Sequence, residues 1–236
     1  PLALWNAAAQ RRHAADELLH LARQGGFDLI HANSLSAQLC APLPKAGLPC
    51  VWHLRDLSPL WPLGRALARR ATAIICISQA VADRVRRLVR PQALHVVHNG
   101  IDAEAFAARA KPLDLRAEAG WPQGCFVAAM IAQLVPWKRH EDFLAALACL
   151  NRRSQPARAV IAGADLFGDH PGLEQRLKTM THSLGLADRV RFLGLRRDIP
   201  SVLAACDVLV IPSTAEPFGR VAIEAMSLGK PVVGTR

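Results

Sequence analysis

Short apolar runs alternate with longer stretches of helical period along the whole chain, and no other feature of the sequence restricts its fold as strongly. Cys50-Val-Trp-His53, Ala73-Ile-Ile-Cys-Ile77, Leu94-His-Val-Val97, Cys125-Phe-Val-Ala-Ala-Met-Ile131, Ala159-Val-Ile-Ala162, Val190-Arg-Phe-Leu193 and Asp207-Val-Leu-Val-Ile-Pro212 read as strands. Phe27-Asp-Leu-Ile-His-Ala-Asn33 reads as a shorter strand and its exit. Runs that are apolar throughout suit strands buried on both faces, as in parallel sheets. Between them, helices are expected over residues 3–24, from about Ser36, and over 62–70, 80–89, 139–152, 172–184, 199–205 and 219–228. This alternation predicts an α/β fold with parallel sheets. Asn99-Gly100 is a strong turn signal, and residues 102–112 show no clear period. The expected division is into domains 1–104 and 105–236.

The chain has 236 residues, 51% of them hydrophobic and 20% charged, which excludes a disordered segment. Its formal net charge is +10, carried by 24 arginines and five lysines. That balance favours anionic partners such as a nucleotide or a lipid headgroup. Six cysteines show neither a Cys-x-x-Cys pair nor metal-ligand spacing, so buried free thiols in a reducing cytoplasm are expected. No run is long enough to span a bilayer, and no signal peptide is visible. The chain starts at Pro1 without a methionine and stops just after a strand-like run, which reads as an interior piece of a longer protein.

The densest chemistry lies near the C-terminus, in Ser213-Thr-Ala-Glu-Pro-Phe-Gly-Arg-Val-Ala-Ile-Glu-Ala-Met-Ser-Leu-Gly-Lys-Pro-Val-Val-Gly-Thr-Arg236. A strand leads into a loop bearing Glu216, and a helix from about Gly219 to Leu228 carries Glu224. The C-terminal edge of a doubly wound parallel sheet is where ligands bind. A helix N-terminus there favours an anion such as a diphosphate. Carboxylates beside an anion site make sense as acceptors of hydroxyl hydrogen bonds, and a nucleotide-linked sugar presents both groups.

Glu216-Pro-Phe-Gly-…-Glu224-Ala-Met-…-Gly229-…-Pro231-Val-Val resembles the Glu-x7-Glu signature of family 4 retaining glycosyltransferases. The resemblance implies two Rossmann-like domains with parallel sheets facing a cleft, the GT-B type, both incomplete here. His98-Asn-Gly-Ile-Asp102 with Phe106 resembles the segment where the family leaves its first domain. Ala132-Gln-Leu-Val-Pro-Trp-Lys-Arg139 resembles the family's diphosphate-binding loop, with Lys138 on the lysine position. Gln133 stands where arginine is usual, and Arg139 where glycine is usual, so one cationic clamp is missing or moved. The implied roles are the ribose hydroxyls for Glu224, the donor sugar for Glu216 with the backbone at Phe218 and Gly219, and the diphosphate for Lys138. Gly194-Leu195-Arg196 looks like the loop that reads the nucleobase, which places Leu195 and Arg196 in the donor site. His53 is the candidate for the histidine near the anomeric centre, although His31, His95 and His98 compete by position. Arg55 and Asp56 could orient it.

The activity so implied is transfer of a sugar from a nucleoside-diphosphate sugar to an acceptor hydroxyl, with retention and without a metal. No Asp-x-Asp occurs, and no Gly-x-Gly-x-x-Gly follows a strand. A nucleotide-sugar epimerase of the same fold and a non-catalytic sugar-nucleotide binder remain as rivals. No cofactor is expected beyond the donor substrate. The acceptor would be a carbohydrate or a lipid-linked molecule, and no nucleic-acid module is recognisable. Arg84, Arg86, Arg87 and Arg90 on the predicted helix 80–89, with Leu60, Trp61, Leu63 and Leu67 upstream, suggest peripheral contact with an anionic membrane at its cytoplasmic face.

Overall fold

The computed structural model describes residues 2–41, 47–57, 60, 63–153 and 156–235. The chain divides into two compact units, Pro1–Asn99 and Gly100–Arg236. The cut falls inside the Asn-Gly turn, so residues 100–104 group with the second unit and not the first.

The first unit begins with α1 (Leu2–Gln24), which stops at Gly25-Gly26, where Gly26 takes φ +64°. Then follow β1 (Ile30–Ala32), α2 (Leu35–Cys40), β2 (Cys50–Leu54), α3 (Gly64–Ala68), β3 (Ala73–Cys76), α4 (Gln79–Val85) and β4 (Leu94–Val96). The four strands form a parallel sheet in sequence order. Trp52, Ile74 and Cys76 of the strands and Val81 and Val85 of α4 are buried in its core. Ser34 and Ser78 cap α2 and α4 by accepting the Ala37 and Val81 N–H groups.

Helix α4 is shorter than the expected 80–89. Its last turn closes at Val85, Leu88 N–H bonds back only to Val85, and Arg90 takes the extended conformation that precedes Pro91. Arg86, Arg87 and Arg90, expected on this helix, therefore lie beyond it. Arg84 donates to the Leu57 carbonyl, and Arg86 pairs with Asp83. Trp61, part of the expected basic and apolar face, and Pro62, the start of the helix expected over 62–70, lie outside the described residues.

The second unit opens with α5 (Ala103–Ala108), in the segment expected to be irregular, and α6 (Leu115–Glu118). Both are capped by aspartates, Asp102 accepting from Ala105 N–H and Asp114 from Ala117 N–H. Then come β5 (Phe126–Ile131), α7 (His140–Arg152), β6 (Ala157–Ala162), α8 (Leu173–Ser183), β7 (Val190–Gly194), α9 (Ile199–Ala205), β8 (Val208–Ile211), α10 (Arg220–Ser227) and β9 (Val232–Gly234). The sheet is parallel throughout, in the order β7-β6-β5-β8-β9. Side-chain alternation feeds two cores. Ala128 and Met130 of β5 with Ala159 and Ile161 of β6 meet Phe143, Leu147 and Leu177 of α7 and α8. Val127, Ala129 and Val160 face the other way, onto Val202 and Leu203 of α9 and Ala225 of α10. Both faces are covered, which is why these strands read as unbroken apolar runs.

The entrance to β5 and β8 is tied by Asp207. Its Oδ2 accepts the Val127 N–H and Arg116 Nη2, both at 2.7 Å. Arg116 also donates to the Cys125 and Ala205 carbonyls, so α6 clamps the two strands at their N-terminal ends.

Two features of this unit have measurable consequences. Gly163, at φ +152°, follows β6 where the Ala132 carbonyl crosses it. A Cβ added there would lie 1.8 Å from that oxygen, so neither backbone can accommodate it. The glycine is required by this close approach of two backbone segments. Gly163→Ala is expected to destabilise by about 3 kcal/mol. Gly229→Ala has φ +67° but open space, so it should cost only about 1 kcal/mol; urea unfolding of the two variants checks the difference. His140, 1% exposed, has neither ring nitrogen hydrogen-bonded. Burial, and secondarily the Lys138 charge, lowers its pKa from 6.5 to about 4. Between those values the unfolded chain binds more protons than the folded one, so stability falls as pH falls through that window. Compared with His140→Leu, the wild type should lose roughly 2 kcal/mol more on going from pH 7 to pH 5. Parallel pH dependences of the two proteins would contradict this.

Candidate functional site

In the second unit β5 neighbours both β6 and β8, so the chain reverses its direction of winding between β5 and β8. Loops leaving the C-terminal ends of two such strands diverge and leave a crevice. The β5 loop carries Gln133 and Lys138, and the β8 loop carries Ser213 and Glu216. Thr214 joins the loops, its N–H and Oγ1 reaching the Trp137 carbonyl at 3.0 and 3.3 Å. Lys138 Nζ donates to Glu216 Oε2 at 2.5 Å, and Ser213 Oγ donates to the same oxygen at 3.0 Å. The Lys138 ammonium also sits 4.2 Å from the centre of the Trp137 ring. Only 15% of the lysine side chain and 25% of the glutamate side chain is exposed, so this is a largely desolvated, neutralised pair.

Arg139 follows in the left-handed conformation, φ +59° and ψ +48°. Only glycine adopts that geometry without penalty. The Arg139 guanidinium turns to Asp142 with bonds of 2.7 and 2.9 Å on the first turn of α7. It is thus engaged away from Glu216. Gln133 is half-buried, and its carbonyl accepts the Val135 N–H.

Helix α10 starts from Gly219, in the left-handed conformation with no side-chain cap. A Cβ on Gly219 would touch Glu216 Cγ at 3.4 Å, so the loop carboxylate lies directly against the start of the helix. Phe218 is half-buried beside it. One turn on, the side chain of Glu224 is 12% exposed and accepts Arg220 Nε at 3.0 Å. Both residues line a cleft of about 520 Å³ together with Asp102, Phe106, Arg109 and Arg197. Leu195 is 63% exposed, and Arg196 is bound to Asp198 at 2.8 and 2.6 Å. From the loop after β7 it is Arg197 that faces the cleft.

Arg109, Arg197 and Arg220 were not expected in the site, and Phe106 was expected only in the segment that leaves the first domain. Arg220 had a signal, an opposite charge four residues before Glu224 on a helix. Phe106 and Arg109 were hidden because α5 was not anticipated.

In the first unit, His53 is the penultimate residue of β2 and not its end. Its ring stacks on His31 with centroids 5.4 Å apart and planes 12° apart. Nε2 is buried without a partner. Burial lowers its pKa, and the charges of His31 and Arg55 lower it further, so the imidazole is neutral at neutral pH. His95 and His98 are exposed. Among the described residues, no group of three or more His, Cys, Asp or Glu side chains is arranged to hold a metal ion. No described helix is long and apolar enough to cross a membrane. The six cysteines are free thiols; burial raises the pKa of Cys76 to about 11 and, with the Asp207 charge, that of Cys206 to about 12.

Known proteins similar to this chain identify its family and its fold. The D-inositol 3-phosphate glycosyltransferase of Salinispora tropica is 34% identical over 244 residues, covering 89% of this chain and 50% of that protein. The UDP-Gal:alpha-D-GlcNAc-diphosphoundecaprenol alpha-1,3-galactosyltransferase of Escherichia coli is 26% identical over 236 residues, covering 92% and 59%. The crystal structure of Anabaena HepE in complex with UDP and glucose is 33% identical with a TM-score of 0.76, over 93% of this chain and 61% of that one. The chain spans about half the length of the curated relatives it matches. Its two parallel-sheet units are those of the GT-B fold. Residues 3–105 match the model described as Glycosyltransferase Family 4, and residues 113–236 match that of the glycosyl transferases group 1, the family to which this chain belongs.

Proposed function

We propose that the full-length protein transfers a sugar from a nucleoside-diphosphate sugar to an acceptor hydroxyl, with retention of configuration and without a metal ion. The observation that carries this reading is the Lys138–Glu216 pair at the β5/β8 crevice, standing beside the cleft that holds Glu224. Two carboxylates and a lysine at such an edge match the needs of a ligand that is anionic in its middle and hydroxylated at both ends. Solved complexes of Anabaena HepE with UDP and with UDP-glucose support a donor of that class. The diphosphoundecaprenol-linked substrate named for the Escherichia coli relative supports a carbohydrate or lipid-linked acceptor. The net charge of +10 would then favour peripheral docking on an anionic inner membrane face.

In this reading the donor exchanges partners with the resting ion pair. A diphosphate oxygen replaces Glu216 on Lys138 Nζ, and the freed Glu216 carboxylate accepts a hydroxyl of the donor sugar. The N–H groups at Phe218 and Gly219 and the start of α10 add partial positive charge toward the phosphates. Glu224 accepts the ribose hydroxyls, with the Leu195–Arg197 loop toward the base. As the glycosidic bond lengthens, negative charge grows on the leaving diphosphate. A largely desolvated lysine stabilises that charge more in the transition state than in the ground state, which accelerates departure of the nucleotide. His53, held neutral, is a hydrogen-bonding group suited to the donor sugar and not a second cation.

Turnover is best followed as nucleoside diphosphate released from a panel of nucleotide sugars by the full-length protein. Lys138→Ala should lower kcat by about two orders of magnitude. Glu224→Ala should act mainly by raising KM. Wild-type turnover by both Lys138→Ala and Glu216→Ala would remove the site assignment. Activity should persist in excess EDTA, and its loss on chelation would overturn the metal-free mechanism. An isomerised nucleotide sugar formed without an acceptor would mark an epimerase instead.

A further inference from the structure

Gln133 leaves the β5 loop without the second cation that a diphosphate beside Lys138 calls for, and Arg139 is held by Asp142. Three guanidinium groups nevertheless line the neighbouring cleft, those of Arg109, Arg197 and Arg220, against the carboxylates of Asp102 and Glu224. One carboxylate, Asp102, is already occupied in part by the Ala105 N–H that it caps. Arg220 stands out among the three. It is the first residue of α10, directly after Gly219, which abuts Glu216 and through it Lys138. Its side chain is 71% exposed and reaches Glu224 through Nε alone. A guanidinium held through Nε alone has its Nη N–H groups left to donate, the fork that suits an anionic oxygen pair.

Resting on the donor reading above, we propose that Arg220 supplies the second cation of the diphosphate site, replacing from α10 the charge that Gln133 does not provide from the β5 loop. The phosphates would then lie between Lys138 on one side and Arg220 on the other, with the open end of α10 beneath them. Arg220 also holds the Glu224 carboxylate, so the same residue links the grip on ribose to the grip on phosphate. Because the Arg220 side chain is 71% exposed and uses only Nε on Glu224, its Nη groups can turn to the phosphate while that bond is kept.

The test separates charge at the phosphate from support of Glu224. Arg220→Gln retains a side-chain N–H able to reach Glu224 but removes the charge. Binding of UDP, GDP and ADP to the full-length protein is measured by calorimetry, and binding of the matching nucleoside by NMR titration. For the nucleoside diphosphate that the wild type binds, Arg220→Gln should weaken affinity by about tenfold or more, with nucleoside affinity nearly unchanged. Adding Gln133→Arg to Arg220→Gln should recover most of the loss, because the charge returns to the β5 loop. An unchanged diphosphate affinity, an equal loss for nucleoside and diphosphate, or no recovery from Gln133→Arg overturns the proposal. Absence of binding by the wild type to all three diphosphates would instead refute the donor reading on which it rests.

Discussion

The lateral pairing of β5 with β8 is the constraint from which the rest of the second unit follows. These strands are remote in sequence, yet Ala128 and Ala129 pair with Val208 and Leu209. Asp207 locks the register by taking both the Val127 N–H and the Arg116 guanidinium at one oxygen. With the entrances fixed, the exits are fixed as well, since parallel strands of similar length end side by side. The β5 and β8 loops are then close enough for Thr214 to reach the Trp137 carbonyl, and for Lys138 to reach Glu216. Gly163 completes the arrangement by letting the β5 loop pass over the end of β6. A crevice bearing a lysine and a carboxylate is thus the outcome of strand order.

Charge in this crevice is balanced internally. Lys138 is neutralised by Glu216, and Arg220 binds Glu224. Desolvated charges left unpaired would cost several kcal/mol each, so pairing is what allows the site to exist without ligand. The same pairing tunes binding. A ligand that brings both anionic oxygens and hydroxyls satisfies the cations and the carboxylates together when the pairs open. A simple anion satisfies only the cations and leaves Glu216 and Glu224 stranded. On the proposed function, selectivity for a nucleotide-linked sugar over free phosphate would follow from that exchange.

Most strands were legible because burial on two faces forces unbroken apolar runs, as in Val208–Ile211. Their ends were less so. His53 lies one residue inside β2, and α4 ends at Val85, five residues before the extended Arg90 that precedes Pro91. Helix α5 was missed for a physical reason: six residues rich in alanine carry no apolar stripe, and Asp102 as an N-cap was the only marker. The positions of Lys138, Glu216 and Glu224 were legible from their motif. What the motif did not reveal was that Lys138 and Glu216 bind each other, or that Arg220 holds Glu224. The first depends on strand order, the second on one helical turn whose spacing was available but unread. Phe106 and Arg109 reach the cleft only through a helix that sequence periodicity does not mark.

Where a nucleotide settles against the β5/β8 crevice is the decisive observation. A structure of the full-length protein with a nucleoside diphosphate decides it directly. The predicted result has a diphosphate oxygen on Lys138 Nζ, the Lys138–Glu216 bond opened, and the ribose hydroxyls on Glu224. A nucleotide bound elsewhere, with Lys138 still paired to Glu216 and Glu224 untouched, would contradict it.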